Sequence, residues 1–99
     1  MLTIEKTIEN GKAVVKPVGR LDTVTAPELE REIQAIIPDL SELVFDFADL
    51  EYISSAGLRV LLAAQKAMKA KGEMIVRNVN DTVLEIFEVT GFSDILTIQ

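Results

Sequence analysis

Two adjacent serines, Ser54 and Ser55, are the residues of this sequence best placed to take part in chemistry. They precede a segment from Ala56 to about Ala70 that lacks proline and is rich in alanine, leucine and lysine, which predicts a helix. A hydroxyl at a helix N-terminus can accept a hydrogen bond from an unpaired backbone N–H. The same end carries the positive pole of the helix dipole and suits an anion. The pair therefore predicts either a helix cap or a phosphate site.

Three carboxylates lie shortly before the serines, at Asp46, Asp49 and Glu51. The sequence contains no histidine and no cysteine, so these groups would be a weak metal site, and we expect solvated loop charges instead. The same absence excludes disulfides, thiol chemistry and triads with an imidazole base. No phosphate-binding Gly-x-x-x-x-Gly-Lys loop is present either. We therefore expect no catalytic residues, no metal and no cofactor, and a protein that is not an enzyme.

The size and composition predict a single globular domain covering residues 1–99, with 48% hydrophobic and 26% charged residues. Ten basic residues stand against 16 acidic ones, a net charge of −6. Such a surface repels nucleic acid and anionic lipid and favours protein partners with basic faces. No apolar run approaches the ~20 residues that span a bilayer, and the N-terminus lacks a signal-peptide core. We expect a soluble, cytoplasmic protein that neither binds nucleic acid nor inserts into membranes.

The first third of the chain predicts a hairpin and a helix. Apolar residues alternate from Leu2 to Ile8, Asn10-Gly11 marks a tight turn, and a return strand covers Ala13 to Val18. Pro17 interrupts that strand, so we expect it at an edge or a bulge. Thr25-Ala26-Pro27-Glu28 then predicts a helix start, with Thr25 as cap and Glu28 completing a capping box. One face of this helix is apolar, and Pro38 is expected to end it.

The centre of the chain predicts a buried strand that reaches the serine helix through a short acidic link. The strand is the apolar run Leu43, Val44, Phe45 and Phe47. Within the helix, the expected inward-facing residues are Gly57, Val60, Leu61, Ala64, Ala67 and Met68. Leu58, Leu62 and Ala63 are expected on the shoulders of this stripe, where they either pack against a neighbouring helix or form a rim for a partner.

The last third predicts a strand at Glu73–Arg77 and a short helix from Thr82 to Thr90 that Gly91 ends. Asn78 to Asp81 supply the turn and cap, and Phe92, Ile95 and Leu96 should fold the tail onto the core. The order β-β-α-β-α-β-α predicts an α/β fold with a mixed sheet. Its β-α-β units require parallel strands with right-handed crossovers.

Two motifs, residues 19–29 and residues 52–61, together with residues 85–92, resemble the STAS family of bacterial anti-sigma factor antagonists. The resemblance implies a mixed four- to five-stranded sheet with helices packed on it, no catalysis, and regulation by partner switching. An antagonist without phosphate binds an anti-sigma factor, often itself a serine kinase of the histidine-kinase-like ATPase fold. That kinase phosphorylates the antagonist on one serine, and a PP2C-type phosphatase reverses the mark.

The resemblance also assigns site residues. It places Ser55 at the phosphate acceptor, with Ser54 as the runner-up at a position where the family usually has aspartate. Arg59 stands where a glycine often follows the leucine, and either reaches the phosphate or is an ordinary exposed arginine. The alternative hypothesis is a constitutive STAS subunit of a membrane transport assembly, of the ABC lipid type or an anion transporter, in which the serines only cap the helix. The expected partner contacts are Asp22, Thr23, Thr25, Ser54, Ser55, Ala56, Leu58, Arg59 and Leu62.

Overall fold

The computed structural model describes residues 2–99, so Met1 of the predicted domain lies outside the described residues. It contains a five-stranded sheet and three α-helices, with one 3-10 turn after the first helix and another after the third. The elements are β1 Leu2–Glu9, β2 Lys12–Leu21, α1 Ala26–Ile36, β3 Glu42–Asp46, β4 Leu50–Ile53, α2 Ser55–Lys69, β5 Glu73–Arg77 and α3 Asp81–Thr90. No helix within the described residues is long and apolar enough to cross a membrane.

The predicted hairpin between β1 and β2 is confirmed. The strands pair antiparallel from Leu2 opposite Gly19 to Glu9 opposite Lys12. Asn10 and Gly11 both have positive φ angles, of 52° and 79°. The tightest hairpin turns need positive φ at both central residues, and Asn-Gly is the pair that adopts it at least cost.

Strand β2 is central in the sheet, so of the two places expected for Pro17, an edge or a bulge, the edge is wrong. Residues 12–15 of β2 pair parallel with β3, whereas its end from Gly19 to Leu21 pairs parallel with β4. Pro17 falls between these two pairings, and the register shifts just after it, at Gly19. The proline therefore occupies the point where the strand changes neighbours and no hydrogen bond to β3 or β4 is lost.

The sheet is mixed, in the order β1-β2-β3-β5 with β4 also beside β2, as the prediction of four to five strands requires. The predicted element order lacked β4, because Leu50–Ile53 was interpreted as part of an acidic link. The strand has only four residues, and Glu51 within it is exposed. Strand β4 is stabilised by pairing with β2, about thirty residues away in the chain, and not by its local sequence. The observed order of elements is therefore β-β-α-β-β-α-β-α.

The helices cover one face of the sheet. Side chains alternate between faces along a strand, and the residues on the covered face join the buried side chains of all three helices in one core. The largest buried side chains include Phe45, Phe47 and Phe87. The ring of Phe47, just after β3, has its centroid 5.7 Å from that of Phe45 and 6.4 Å from that of Phe87. The covered strand residues are Ala13, Val15, Leu43, Phe45, Met74 and Val76.

The end of the chain confirms most of the predicted signals. The Asn80 side chain caps α3 by accepting from the Val83 N–H at 2.9 Å, and Gly91 ends the helix in the left-handed conformation. Leu96 is buried, but Ile95 is 45% exposed and does not pack onto the core as expected. Ile98 adds a parallel bridge to Val76, a pairing that local periodicity did not predict.

Candidate functional site

The two motifs of the sequence meet at one edge of the sheet. Leu21 at the end of β2 pairs with Ile53 at the end of β4, and the Ser54 N–H donates to the Leu21 carbonyl at 2.8 Å. Since β2 and β4 are parallel, their C-terminal ends lie at the same edge of the sheet. Each strand is followed there by a helix, α1 from Ala26 and α2 from Ser55. The N-termini of two helices and the loop before each therefore form one site, in the position where ligands commonly meet parallel strands.

Ser54 is the N-cap of α2. Its backbone is extended, its hydroxyl accepts from the Gly57 N–H at 3.4 Å, and its carbonyl accepts from the Leu58 N–H at 2.9 Å. The side chain is half-buried. These contacts are those of a helix cap, one of the two roles predicted for the serine pair.

Ser55 is the first residue of α2 and is exposed to solvent. Within residues 2–99 its hydroxyl makes no hydrogen bond, in contrast to the hydroxyl of Ser54. A phosphate on Ser55 would lie beside the positive end of the α2 dipole. The two serines are therefore distinct in geometry: one is occupied as a cap and the other presents a free hydroxyl.

The turn before α1 is held by Asp22 and Thr25. The Asp22 Oδ1 accepts from the N–H groups of Val24 and Thr25, each at 3.0 Å, and the Thr25 hydroxyl donates to the Arg20 carbonyl at 2.8 Å. The hydrogen bonds from the Thr25 backbone, the Thr25 hydroxyl and the Val24 backbone lower the pKa of Asp22, while partial burial opposes them. This network gives the loop a defined shape beside the start of α2.

The predicted capping box at Thr25 is wrong. Thr25 has no side-chain capping hydrogen bond, because its backbone is already helical and its hydroxyl is used by Arg20 and by the Asp22 N–H. The first N–H of α1, from Ala26, donates instead to the Asp22 carbonyl at 2.8 Å. Thr25 is only 5% exposed, so its side chain shapes the turn.

The tip of this turn exposes a residue that sequence reasoning missed. Val24 is 80% exposed, which is unusual for a large apolar side chain. Beside it, Thr23 lines a shallow groove of about 230 Å³ together with Ala56 and Arg59 of α2. The sequence signal for this exposure was an apolar residue within a turn that is too short to bury it. The structure thus brings Thr23, Ala56 and Arg59, three of the predicted partner contacts, together at one groove.

Leu58 packs within the protein, which is the first of the two alternatives expected for the shoulder residues. It is 6% exposed and belongs to the core, whereas Leu62 is half-buried and Ala63 is exposed. Helix α2 packs against β4, β5 and α1, so a wider part of its circumference is covered than one sheet contact would bury. Ala67, expected to face inward, is exposed.

Helix α2 is locally basic within an acidic protein. It contains Arg59, Lys66 and Lys69 and no acidic residue, although the chain as a whole has a net charge of −6. The composition predicted partners with basic faces, but the exposed surface at α2 has the opposite sign. Acidic side chains of a partner would be favoured here.

Two of the three carboxylates before the serines, Asp46 and Asp49, pair with neighbouring side chains, whereas Glu51 is exposed. Asp49 pairs with Lys16 at 3.0 Å, and Asp46 pairs with Arg77 at 3.6 Å and accepts from the Asn78 side chain at 3.0 Å. Burial raises the pKa of Asp46, but the hydrogen bonds from Asn78 and from a backbone N–H, together with Arg77, outweigh it and keep that pKa below its usual value. The part of the chain that the structure describes contains no cluster of three or more acidic residues that could hold a metal ion.

Comparison with known proteins identifies the family. The sequence model of one protein family, the STAS domain, matches residues 3–99 of this chain. The chain belongs to the STAS-domain family. Its relatives include BtrV of Bordetella bronchiseptica, named as a candidate anti-sigma factor antagonist, which is 36% identical over 98% of this chain and 84% of its own length. The anti-sigma-B factor antagonist of Staphylococcus aureus is 29% identical over 99% of this chain and 93% of its own length.

A solved structure confirms the STAS fold. An anti-sigma factor antagonist from Mycobacterium paratuberculosis superposes with a TM-score of 0.90 at 27% identity, covering 99% of this chain and 85% of its own. The names of these relatives favour an anti-sigma factor antagonist over a subunit of a transport assembly.

Proposed function

We propose that this STAS domain is an anti-sigma factor antagonist that binds its anti-sigma factor across the start of α2 and the adjacent Asp22–Thr25 turn, and that phosphorylation of Ser55 ends the binding. The observation that carries the proposal is the exposed, unbonded hydroxyl of Ser55 at the first position of α2. The antagonist names of relatives that match nearly the whole chain support the same function.

The docking contacts centre on a surface that we call the switch surface. It has an apolar tip, Val24, and a polar surround that includes the basic Arg59. An apolar centre with a polar rim is the usual composition of a transient protein interface. Leu58 and Thr25 are excluded from it because both are buried. The switch surface consists of Thr23, Val24, Ser55, Ala56 and Arg59.

The physical effect of phosphate on Ser55 falls on the interface and not on the fold. Phosphorylation adds roughly −1.5 to −2 of charge. At a helix N-terminus this charge is tolerated or favoured by ~0.3–1 kcal/mol. In a complex the same charge would be taken out of water, which is costly unless a partner cation meets it. Arg59, one helical turn along, lies near enough on the helix surface to pair with the phosphate in the free domain.

The proposed partners follow from the family. The anti-sigma factor is a serine kinase of the histidine-kinase-like ATPase fold, which both binds the switch surface and phosphorylates Ser55. A PP2C-type phosphatase restores the unmodified serine and the competent antagonist. The basic surface of α2 suits acidic side chains on the kinase.

Phosphorylation by the cognate kinase tests the acceptor. After incubation with kinase and ATP, peptide mass spectrometry should locate phosphate on Ser55. Ser55→Ala should stay unmodified and still bind, whereas Ser54→Ala should still be modified. Ser55→Asp should bind poorly, with a melting temperature within about 4 °C of the parent. Modification of Ser54 alone would reassign the acceptor, and no modification of either serine would support the constitutive-subunit hypothesis.

Two equally exposed valines test the surface. Val24 and Val89 are both 80% exposed, but Val89 lies on α3, outside the switch surface. Val24→Asp should weaken binding to the anti-sigma factor at least about tenfold, equivalent to ~1.4 kcal/mol. Val89→Asp should leave the affinity unchanged, as measured by calorimetry on both variants. Equal affinities for the Val24→Asp variant and the parent protein would exclude the Asp22–Thr25 turn from the interface.

A further inference from the structure

An apolar row crosses the face of the sheet that the helices leave open. Val14, Val44 and Ile75 are paired side by side across β2, β3 and β5. Val44 is only 2% exposed, yet it does not belong to the core beneath the helices. Val14 and Ile75 are half-buried. The row is therefore packed among its own neighbours, and within residues 2–99 no helix lies over it.

A row of charged residues runs beside the apolar row on the same face, two residues further towards the C-terminal ends of β3 and β5. Glu5 pairs with Lys16, and Asp46 pairs with Arg77. The β2–β3 pairing ends at Val15 opposite Phe45, so Lys16 and Asp46 are the next residues of the two strands, and each lies close enough to affect the pKa of the other. In strand order β1-β2-β3-β5 the charges therefore alternate as negative, positive, negative, positive.

When this order of charges is reversed and laid against itself, each negative charge meets a positive one. A rotation of 180° about an axis parallel to the strands keeps the strand direction and reverses the strand order. It places Glu5 of one copy opposite Arg77 of the other, and Lys16 opposite Asp46. We propose that the open sheet face, with its apolar row and its self-complementary charge row, is a docking surface for a second copy of this chain. The two sheets would stack face to face with aligned strands, the arrangement of a β-sandwich.

The charges of the face select this axis. A two-fold axis across the strands would instead place Lys16 opposite Lys12 and Glu5 opposite Glu9, which repel each other. A third row, on the other side of the apolar row, consists of Glu9, Lys12, Glu42 and Glu73. With the axis parallel to the strands, Lys12 of one copy lies opposite Glu42 of the other, although these two residues also pair within one copy at 3.6 Å. Only Glu9 and Glu73, at the solvent-exposed corners, are alike. The Glu5–Arg77 row is neutral in sum, in a chain whose net charge is −6. This row therefore adds no net repulsion between two copies.

The size of the face predicts a weak association. Four strands at ~4.8 Å spacing and about five residues of length give roughly 14 by 17 Å, well below the ~800 Å² per partner of a stable complex. Ion pairs within each copy, such as Lys16–Asp49 and Arg77–Asp46, already satisfy part of the charge. The dimer should therefore form only at high protein concentration. Because α2 packs on the opposite face, the switch surface stays free in the dimer, so this inference does not depend on the proposed function.

Sedimentation velocity over a concentration series up to about 1 mM tests the self-association. The parent protein should shift towards a dimer, and the methyl NMR signals of Val14 and Ile75 should move with concentration. Val14→Lys should weaken dimerisation at least about tenfold. Val89→Lys, a matched change on α3, should not. A protein that stays monomeric throughout, or a dimer that is unaffected by Val14→Lys, overturns the proposal.

A charge exchange provides a second test that does not depend on Val14. Glu5 and Arg77 lie on β1 and β5, three strand spacings or ~14 Å apart, so they cannot pair within one copy. Glu5→Lys and Arg77→Glu should each weaken the dimer several-fold, with circular dichroism confirming the fold. The double variant should recover dimerisation to within about threefold of the parent, since the pairing is restored between copies. A double variant weaker than both single variants would exclude the two-fold arrangement.

Discussion

At the scale of single residues, the site separates two hydroxyls that are adjacent in the sequence. Ser54 occupies the N-cap of α2, and Ser55 presents its hydroxyl to solvent. The family usually has aspartate where Ser54 stands, and aspartate and serine are both strong N-caps. The replacement therefore keeps the start of the helix and removes one negative charge beside the proposed acceptor.

Removal of the cap should weaken α2. Ser54→Ala loses the hydrogen bond from the Gly57 N–H, which at 3.4 Å is long, so we expect a loss of about 0.5–1 kcal/mol in the free energy of unfolding. Ser54→Asp should restore or exceed the parent stability at neutral pH, because a carboxylate also interacts favourably with the helix dipole. Urea denaturation of the three proteins measures both effects. Equal stability of Ser54→Ala and the parent would show that the cap contributes nothing.

The Asp22 turn should contribute a pH-dependent part of the stability. Its pKa in the folded protein is lowered, chiefly by the hydrogen bond from the Thr25 backbone. A lowered pKa stabilises the fold above the unfolded value near 3.9, and this stabilisation is lost as the pH falls through the lower folded value. Asp22→Asn should therefore lose less stability than the parent between about pH 4 and pH 2. Denaturation curves at several pH values give the free energy of unfolding of each protein as a function of pH. Equal slopes for the Asp22→Asn variant and the parent would contradict the expectation.

At the scale of elements, Gly57 allows α2 to approach the ends of β2 and β4. A Cβ at this position would lie 2.7 Å from Ile53 Cγ1 and 2.8 Å from Leu21 Cγ, both on buried side chains. The glycine of the motif therefore lets the switch helix rest directly on the strand ends that position Ser55. Its role is packing, and no phosphate contact is needed to explain it.

Gly57→Ala should destabilise the protein in spite of the better helix propensity of alanine. Overpacking of this kind costs about 1–3 kcal/mol, against a gain of about 1 kcal/mol from propensity. Gly91→Ala is a useful comparison, because no atom lies within 4 Å of the added Cβ there and only its φ of 83° is unfavourable. In the Gly57 variant the NMR signals of Leu21 and Ile53 should shift, whereas in the Gly91 variant they should not. A Gly57→Ala protein that melts at or above the parent temperature would show that the neighbours can move.

At the scale of the whole molecule, the edge of the sheet at β5 is protected by a late segment of the chain. The Val76 N–H donates to the Thr97 carbonyl and the Gln99 N–H donates to the Val76 carbonyl, each at 2.9 Å. The half-buried Ile98 packs against the core between them. Covering an edge strand in this way satisfies its backbone groups and hinders pairing with other chains.

Ile98→Asp should release this segment. Loss of the half-buried side chain should lower the free energy of unfolding by about 1 kcal/mol and increase the exchange rate of the Val76 amide proton about tenfold. Ile8→Asp, on a side chain that is 51% exposed on β1, should change stability by less than about 0.5 kcal/mol. Amide hydrogen exchange followed by NMR reports both variants. Unaltered exchange at Val76 in Ile98→Asp would show that the backbone pairing holds without the side chain.

The sequence alone determined the features that depend on near neighbours. The Asn10–Gly11 turn, a helix cap within Asn78–Asp81 and the end of α3 at Gly91 require only a few consecutive residues, and each is found where it was predicted. The apolar stripe of α1 and the mixed sheet also follow from periodicity and connection order. The motifs at residues 19–29 and 52–61, together with residues 85–92, identified the family, because each is carried by consecutive residues.

Only the tertiary structure decided which side chains are available at the site. Leu58 is buried, Val24 is exposed, and the Thr25 hydroxyl is used within its turn. Strand β4 and the charge order of the open sheet face likewise depend on pairing between distant segments. The physical reason is common to all of them. Burial and strand pairing are set by contacts between residues far apart in the chain, and a short segment has the same local pattern whether or not those contacts form.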